Sequence, residues 1–295
     1  MATVPSGAKQ ERFGFINEYR SQFSVRYLCQ WLEVSSAGFY KWRSRPESLR
    51  IKSNRELTVK IQKIFADNHG NYGSPRVTIA LHKLGEMVNH KRVERIMREQ
   101  SLMGKAGVLY RRKAAPQRAF LKNPNLKLDE PVPSAINQQW VGDITYLKVN
   151  GDWRYLAVVM DLFSRRIIGW SLGSYKSSEL TCSALRKALA HRKIKKGLIF
   201  HTDRGSEYGA HLIQDELLKF GIRSSMNRPK SITDNIHMES FFHTMKTESY
   251  HGISFNSESE LRLALSYYLD CYYNTKRIHT SIGNEAPVVY EKLAT

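Results

Sequence analysis

The sequence predicts an α/β chain: a mixed-sheet domain over residues 134–295, preceded by an all-α region. Three observations carry this reading. Before residue 104 apolar residues recur at helical spacing between good helix caps. After residue 137 three β-rich runs follow one another, and strands then alternate with helices. The charge also shifts along the chain: of a formal net +19, residues 1–130 hold 25 Lys and Arg against 11 Asp and Glu, and the remainder holds 21 against 16. Such a surplus speaks of partners rather than fold, and a front half this basic reads as an arm for a polyanion such as nucleic acid.

Residues 10–21 read as an amphipathic helix. Ser24 then caps a helix with Val25, Leu28 and Leu32 on one face. Val34-Ser35-Ser36 restarts a second helix that carries Tyr40, Lys41, Trp42 and Arg43, with Pro46 beyond its end. Residues 1–50 therefore read as a helix-turn-helix region. A second such region spans 51–103: a helix over 55–68, another opened by Ser74-Pro75 with Gly85 past its end, and a third capped by Asn89. In the third, Val93, Ile96 and Met97 face inward, while Lys91, Arg92, Arg95 and Arg98 face out. The bland alternative for both regions is a helical bundle with a solvated charged face. Residues 104–133 are basic, proline-containing and aperiodic, and read as a linker lying on DNA, with Arg111, Arg112 and Lys113 as phosphate contacts.

The β-rich runs are QWVGDITYLKV, RYLAVVMDLF and RRIIGWSLG, separated by turn residues such as Asn150-Gly151. A helix over 177–192 follows, then the short strand GLIFHTD, a helix over 210–220 ended by Gly221, the strand-like IRSSMN, and two helices near 234–250 and 257–273. Three antiparallel strands followed by helix, strand, helix, strand, helix is the order of the ribonuclease H-like fold.

Asp143 sits inside an apolar strand, where a carboxylate is costly unless it is paired or on a metal. Asp203 ends the strand GLIFHTD, and carboxyl ends of strands are where ligands gather. Glu239 lies in DNIHMESFFHTMKTE, a helix opened by Thr233 or Asp234. At 100° per residue Met238, Phe241, Phe242 and Met245 form one stripe, and Asn235, Glu239, His243 and Lys246 form the neighbouring flank. Three converging carboxylates suit two hard cations for phosphoryl transfer, with Asp143 bridging both Mg²⁺ ions and Asp203 and Glu239 holding one each. The 35 residues between Asp203 and Glu239 prove little alone, since Asp143 and Glu179 have the same separation. Glu179 has a simpler role in the first turn of its helix, where an acid suits the dipole. His201, two residues before Asp203, reads as either a core histidine or a supporting group, and Tyr208 and Asn235 as candidates to orient DNA or ligands.

These residues resemble the second-frame (OrfB) transposases of bacterial insertion sequences, which carry a D,D(35)E integrase-type core. The matching pieces are SVRYLCQWLEVSSAGFYKW, YGSPRVTIALHKLG with VNHKRVERIMRE, QWVGDITYL, HTDRGSEY, DNIHMESFFHTMKTE and YYNTKRIHTSIGNEAP, spanning about residues 20–292. The resemblance implies catalytic and metal-holding roles for Asp143, Asp203 and Glu239, Mg²⁺ or Mn²⁺ as cofactor, and contact of Lys246 with the donor DNA end. It further implies cleavage and joining of element ends, assembly into homo-oligomers on DNA, and a first-frame OrfA companion or fusion partner. Lys41, Arg43, Lys91, Arg92 and Arg95 are the expected duplex contacts of the two helical regions. In YYNTKRIHTSIG, Lys276, Arg277 and His279 are expected to combine packing with phosphate contact. Two departures stand out. The loop NRPKSITDN lacks the glycine many relatives carry before the glutamate, and the zinc module of retroviral integrases has no counterpart.

Composition closes off other classes. Cys29, Cys182 and Cys271 are too few and too scattered for a disulfide or zinc framework, and read as three buried thiols. No apolar run is long enough to span a membrane, and the start lacks a signal-peptide core, so the cytoplasm is the expected location; the resemblance implies a bacterial, nucleoid-associated one. Two other functions fit the same fold: a nuclease or resolvase that cuts without joining, and a DNA-binding repressor with a dead core. The second predicts a broken triad, whereas all three acids are present.

Overall fold

A computed structural model describes residues 9–46, 48–105, 124–128, 130–229 and 231–294, with the backbone alone at 232 and 233. Arg111, Arg112 and Lys113 lie outside the described residues. The chain divides into two compact units, residues 1–60 and 61–295.

In the first unit, α1 (Lys9–Tyr19), α2 (Val25–Trp31) and α3 (Ser36–Arg43) enclose a small core of Phe13, Ile16, Leu28, Cys29, Leu32 and Phe39. Ser24 and Ser35 cap α2 and α3 by accepting from the N–H groups of Tyr27 and Gly38, both at 3.3 Å. The turn between these helices passes through Glu33 at φ 54. Gly38 lets α3 approach α1, since a Cβ there would stand 3.3 Å from the Phe13 ring. α4 (Leu49–Asp67) is one continuous helix that leads into the second unit.

The second unit begins with α5 (Ser74–Lys83) and α6 (His90–Glu99). Gly73 precedes Ser74-Pro75 at the start of α5, and Asn89 caps α6 by accepting from Lys91 N–H at 2.8 Å. Val93, Ile96 and Met97 are buried, as their spacing requires.

The sheet follows, with strands in the order β3-β2-β1-β4-β5. β1 (Gln139–Val149), β2 (Asp152–Asp161) and β3 (Ile167–Gly173) are antiparallel neighbours; β4 (Ile199–Thr202) and β5 (Arg223–Met226) add in parallel. Asn150 and Gly151 both have positive φ (45° and 90°) and close a two-residue hairpin whose twist matches the strands. One sheet face packs on α7 (Ser178–Ala190) and α9 (His211–Lys219), around Trp140, Phe200 and Leu185. The other packs on α10 (Ile236–Ser249) and α11 (Glu258–Ser266), around Val141, Leu156, Met238 and Met245. A short helix, α8 (Ser206–Gly209), follows β4, and α12 (Pro287–Ala294) ends the chain.

Gly169 is where α7 comes closest to β3: a Cβ there would lie 2.2 Å from the Ala184 carbonyl oxygen and 2.8 Å from Ala188 N. Both obstacles are backbone, so relief means moving the helix. Gly169→Ala should cost roughly 1–3 kcal/mol by overpacking, read as a lower denaturant midpoint at unchanged m-value. A variant as stable as the parent would show that α7 shifts at no cost.

Two expectations change. Cys271 is exposed, because the last turns of this segment form a π-helical stretch, Tyr267–Tyr273, that buries Tyr268, Leu269, Tyr272 and Tyr273 instead. The α10 cap position is Asn235 rather than Thr233 or Asp234. Asp234 instead knots the preceding loop, accepting from Arg228 N–H at 2.8 Å, Ser231 Oγ at 2.8 Å and Asn125 Nδ2 at 2.8 Å.

Candidate active site

β1 and β4 pair in parallel from Gln139 with Ile199 to Gly142 with Thr202. The next residues are Asp143 and Asp203. The register therefore brings both acids to the same end of the sheet, where β4 stops and β1 continues against β2 alone. Gly142 makes the approach possible: a Cβ there would stand 2.6 Å from the Phe200 ring. Asp143 Oδ1 accepts from Ile144 N–H at 2.7 Å, and Asp203 Oδ1 accepts from Gly205 N–H at 3.0 Å. Burial, then the Asp203 charge, pushes the Asp143 carboxyl well above the usual range, with a smaller push from Glu239. Burial first, then the Glu207 charge, pushes Asp203 up as well.

Two further members of this cluster were not singled out in the sequence. Glu207 is 7% exposed, and its Oε1 lies 2.5 Å from Lys176 Nζ. Burial works against the Lys176 charge, but Glu207, Asp203 and Asp143 outweigh it and raise the ammonium above its ordinary value. Glu207 sits four residues after Asp203 and could have been suspected from that spacing; Lys176 comes from a distant loop and could not.

Glu239 is the outlying acid. It is exposed in the first turn of α10, and burial of its surroundings raises it modestly. α10 is docked close by: Asn235 Nδ2 donates to the Gly142 carbonyl at 3.2 Å, and Met238, Phe241, Phe242 and Met245 are buried against the sheet. Among the described residues no three His, Cys, Asp or Glu side chains stand close enough to form a closed metal cluster. The tight pair is Asp143 and Asp203, with Glu239 near enough for its charge to reach Asp143. Four acids facing one lysine is a donor set that fits a hard divalent cation.

The remaining candidates sort by position. Tyr208 is 3% exposed, and burial first, then Asp143, Asp203 and Glu207, pushes its hydroxyl far up, so it stays neutral beside the acids. Lys246 Nζ lies 4.7 Å from the centre of the Tyr146 ring. Tyr146 meets Trp153 edge to face at 5.1 Å, and both are about half exposed. On α3, Lys41 and Arg43 are exposed. On α6, Lys91 is exposed, whereas Arg92 is half-buried and Arg95 is half-buried with Glu99 at 3.0 Å. Lys276 is exposed, whereas Arg277 and His279 are buried, and Arg277 is paired with Glu248.

His201 does not join the carboxylates. Ser225 Oγ stands 2.9 Å from its Nδ1 and Asn227 Oδ1 stands 2.8 Å from its Nε2, while Leu126 N–H donates to Ser225 Oγ at 3.0 Å. This chain is satisfied by a neutral imidazole that donates to Asn227 and accepts from Ser225. Burial, aided by Lys127, holds His201 down to about 4 against a free value of 6.5. Below the free value the unfolded chain binds the proton that the folded one refuses. Stability should therefore fall as pH drops from 6.5 towards 4, by up to about 1.4 kcal/mol per unit for one such group. His201→Gln should flatten that acid slope in denaturant titrations at pH 7 and pH 5; an unchanged slope would remove His201 as a contributor.

The sheet order and the carboxylate pair define an integrase-core protein. The sequence matches the integrase core domain family over residues 133–231, a second integrase core domain family over 239–293, and an HTH-like domain family over 52–113. It is 36% identical over 287 residues to the transposase InsF for insertion sequence IS3A of Escherichia coli K12, covering 95% of this chain and 98% of that protein. It is 37% identical over 250 residues to the transposase for insertion sequence element IS904 of Lactococcus lactis, covering 84% and 98%. The chain belongs to this insertion-sequence transposase family. Among solved structures, a simian T-cell lymphotropic virus intasome aligns with TM-score 0.47 at 20% identity, covering 78% of this chain and 74% of that one. The catalytic core of BIV integrase aligns with TM-score 0.40 at 19% identity, covering 53% and 95%. Among the described residues no helix is long and apolar enough to cross a membrane.

Proposed function

We propose that the chain cuts and joins the ends of an insertion sequence, with Asp143, Asp203 and Glu239 as catalytic and metal-holding acids. The observation that carries this is the parallel register of β1 and β4, which sets two half-buried carboxylates side by side with Lys176 as their nearest cation. Asp143, Asp203 and Glu239 would hold the two Mg²⁺ or Mn²⁺ ions, which would supply Lewis-acid activation of the attacking hydroxyl and stabilisation of the leaving oxygen. Gly205 N–H and Ile144 N–H fix the aspartates. Asn235 ties α10, which carries Glu239, to β1. Lys176 offsets part of the carboxylates' charge. Lys246, one to two turns beyond Glu239, is placed for the phosphate of a donor end, with Tyr146 and Trp153 beside it. Lys41 and Arg43 on α3, and Lys91 with Arg92 and Arg95 on α6, would hold duplex DNA, most of the affinity coming from phosphate neutralisation. The domain reading is 1–50 and 51–103 as helix-turn-helix regions, 104–133 as a basic linker and 134–295 as the catalytic core. A cytoplasmic, nucleoid-associated homo-oligomer acting with a first-frame OrfA protein completes the proposal.

The test is strand transfer by purified protein with Mg²⁺ and duplexes carrying the flanking element's ends, with and without the first-frame protein. Joined products that vanish in Glu239→Gln support the reading. Cleavage without joining would move the function to a nuclease. Duplex binding without either product, in both arms, would leave a DNA-binding protein.

A further inference from the structure

A cavity of about 320 Å³ lies between α10, the C-terminal segment and α5, and cations dominate its wall. Arg76, Arg165 and Arg277 line it, together with His237 and the hydroxyls of Ser240 and Ser281. No carboxylate is among its described lining residues, and Glu248 beside it is taken: Arg277 holds it at 2.8 Å and Arg76 stands 3.7 Å away. Arg165 has no such partner. Its Nε is buried without a hydrogen bond, and the group that most favours its charge is the Tyr273 phenol. Burial lowers its guanidinium. Arg165 also sits at φ 62, so the backbone turns sharply to place it there.

Arg76 and Arg277 share Glu248, and Arg165 adds a third guanidinium to the wall, so among the described lining residues positive charge exceeds negative. A half-buried charge with no carboxylate bonded to it favours an anion. Arg offers a planar fork of donors suited to phosphate oxygens, and Ser240 and Ser281 add neutral donors. The cavity is separate from the carboxylates. His237, Ser240 and Thr244 recur at helical spacing on the side of α10 opposite Glu239 and Lys246.

We propose that this cavity binds a phosphate group, and that its source is the backbone of bound nucleic acid, at a point distinct from the one being cut. The source rests on the DNA-joining reading above; the anion site itself does not.

Two variants test it. Arg165→Asn removes the unpaired guanidinium and suits the left-handed backbone there. Ser240→Asp supplies a carboxylate from within. Thermal unfolding is followed against inorganic phosphate, with chloride at matched ionic strength. The expected result is a midpoint that rises with phosphate in the parent, a flat response in both variants, and a higher midpoint for Ser240→Asp without phosphate. Equal phosphate responses in all three proteins would overturn the site. Duplex binding against salt then tests the source: Arg165→Asn should reduce the slope of log K on log salt by about 0.9. A lost phosphate response with an unchanged slope would overturn the nucleic-acid source in favour of a free phosphate compound. Absence of strand transfer alongside a retained phosphate response would count against the DNA-joining reading and leave this site standing.

Discussion

Asp143→Asn should abolish strand transfer, by on the order of a thousandfold or more, and at the same time raise the thermal stability of the metal-free protein. The two effects share one cause. Asp143 and Asp203 are held together by the sheet register, and burial pushes both carboxyls up, with a further push from the Asp203 charge on Asp143 and from the Glu207 charge on Asp203. A carboxyl whose folded value is raised destabilises the fold at neutral pH, since the unfolded chain ionises it more easily. Asn removes that burden while keeping size and the ability to accept from Ile144 N–H. It also removes a ligand proposed to hold the ions, so Mg²⁺ should raise the unfolding midpoint of the parent and hardly move that of the variant. Duplex affinity should stay within about twofold, because the proposed duplex contacts lie on the basic helices. A variant that is less stable than the parent without metal would show that Asp143 is held by structural bonds rather than kept for a cation.

The parts of this fold that depend on neighbours in sequence were legible, and those that depend on neighbours in space were not. QWVGDITYLKV, read as a strand from its β-branched and aromatic residues, is the span of β1. Ser24, Ser35 and Asn89 were recognisable as caps because a cap acts within three residues. Glu179, at the same spacing from Asp143 as Glu239 from Asp203, is exposed in the first turn of α7 and helps cap its own helix. Asp234 misled the reading because the same short acid that caps helices can also close a loop, and Arg228 and Asn125 claim it here. Lys176 and Glu207 enter the carboxylate cluster through tertiary approach. Asn274 illustrates the same limit in YYNTKRIHTSIG: it bonds both backbone groups of Ile167, its N–H and its carbonyl each at 2.9 Å, a role that no spacing announces.

Arg277→Met should be the most destabilising single change outside the carboxylates. Arg277 is 5% exposed at its side chain and Glu248 1%, and the guanidinium grips both carboxylate oxygens through Nε and Nη2 at 2.8–3.1 Å. Burial opposes the guanidinium charge, but the Glu248 bonds outweigh it and raise its proton affinity further. Removing Arg277 strands Glu248, whose other partners are the Tyr268 hydroxyl at 2.8 Å and Arg76 at 3.7 Å. Breaking one side of such a pair costs about 3–5 kcal/mol, which in a domain of this size lowers the unfolding midpoint by roughly 6–20 °C. The double variant Arg277→Met with Glu248→Leu should recover much of that loss, because a buried pair replaced by apolar side chains leaves no unpaired charge. A single variant within about 1 kcal/mol of the parent would show that water reaches Glu248. The double variant carries the functional information. Glu248 lies on α10, nine residues after Glu239, and Arg76 lies on α5 within the segment that matches the HTH-like family. If stability returns and strand transfer does not, the charge network serves to hold the helix carrying Glu239 in register with the DNA-binding segment, a task that apolar packing of equal strength does not perform.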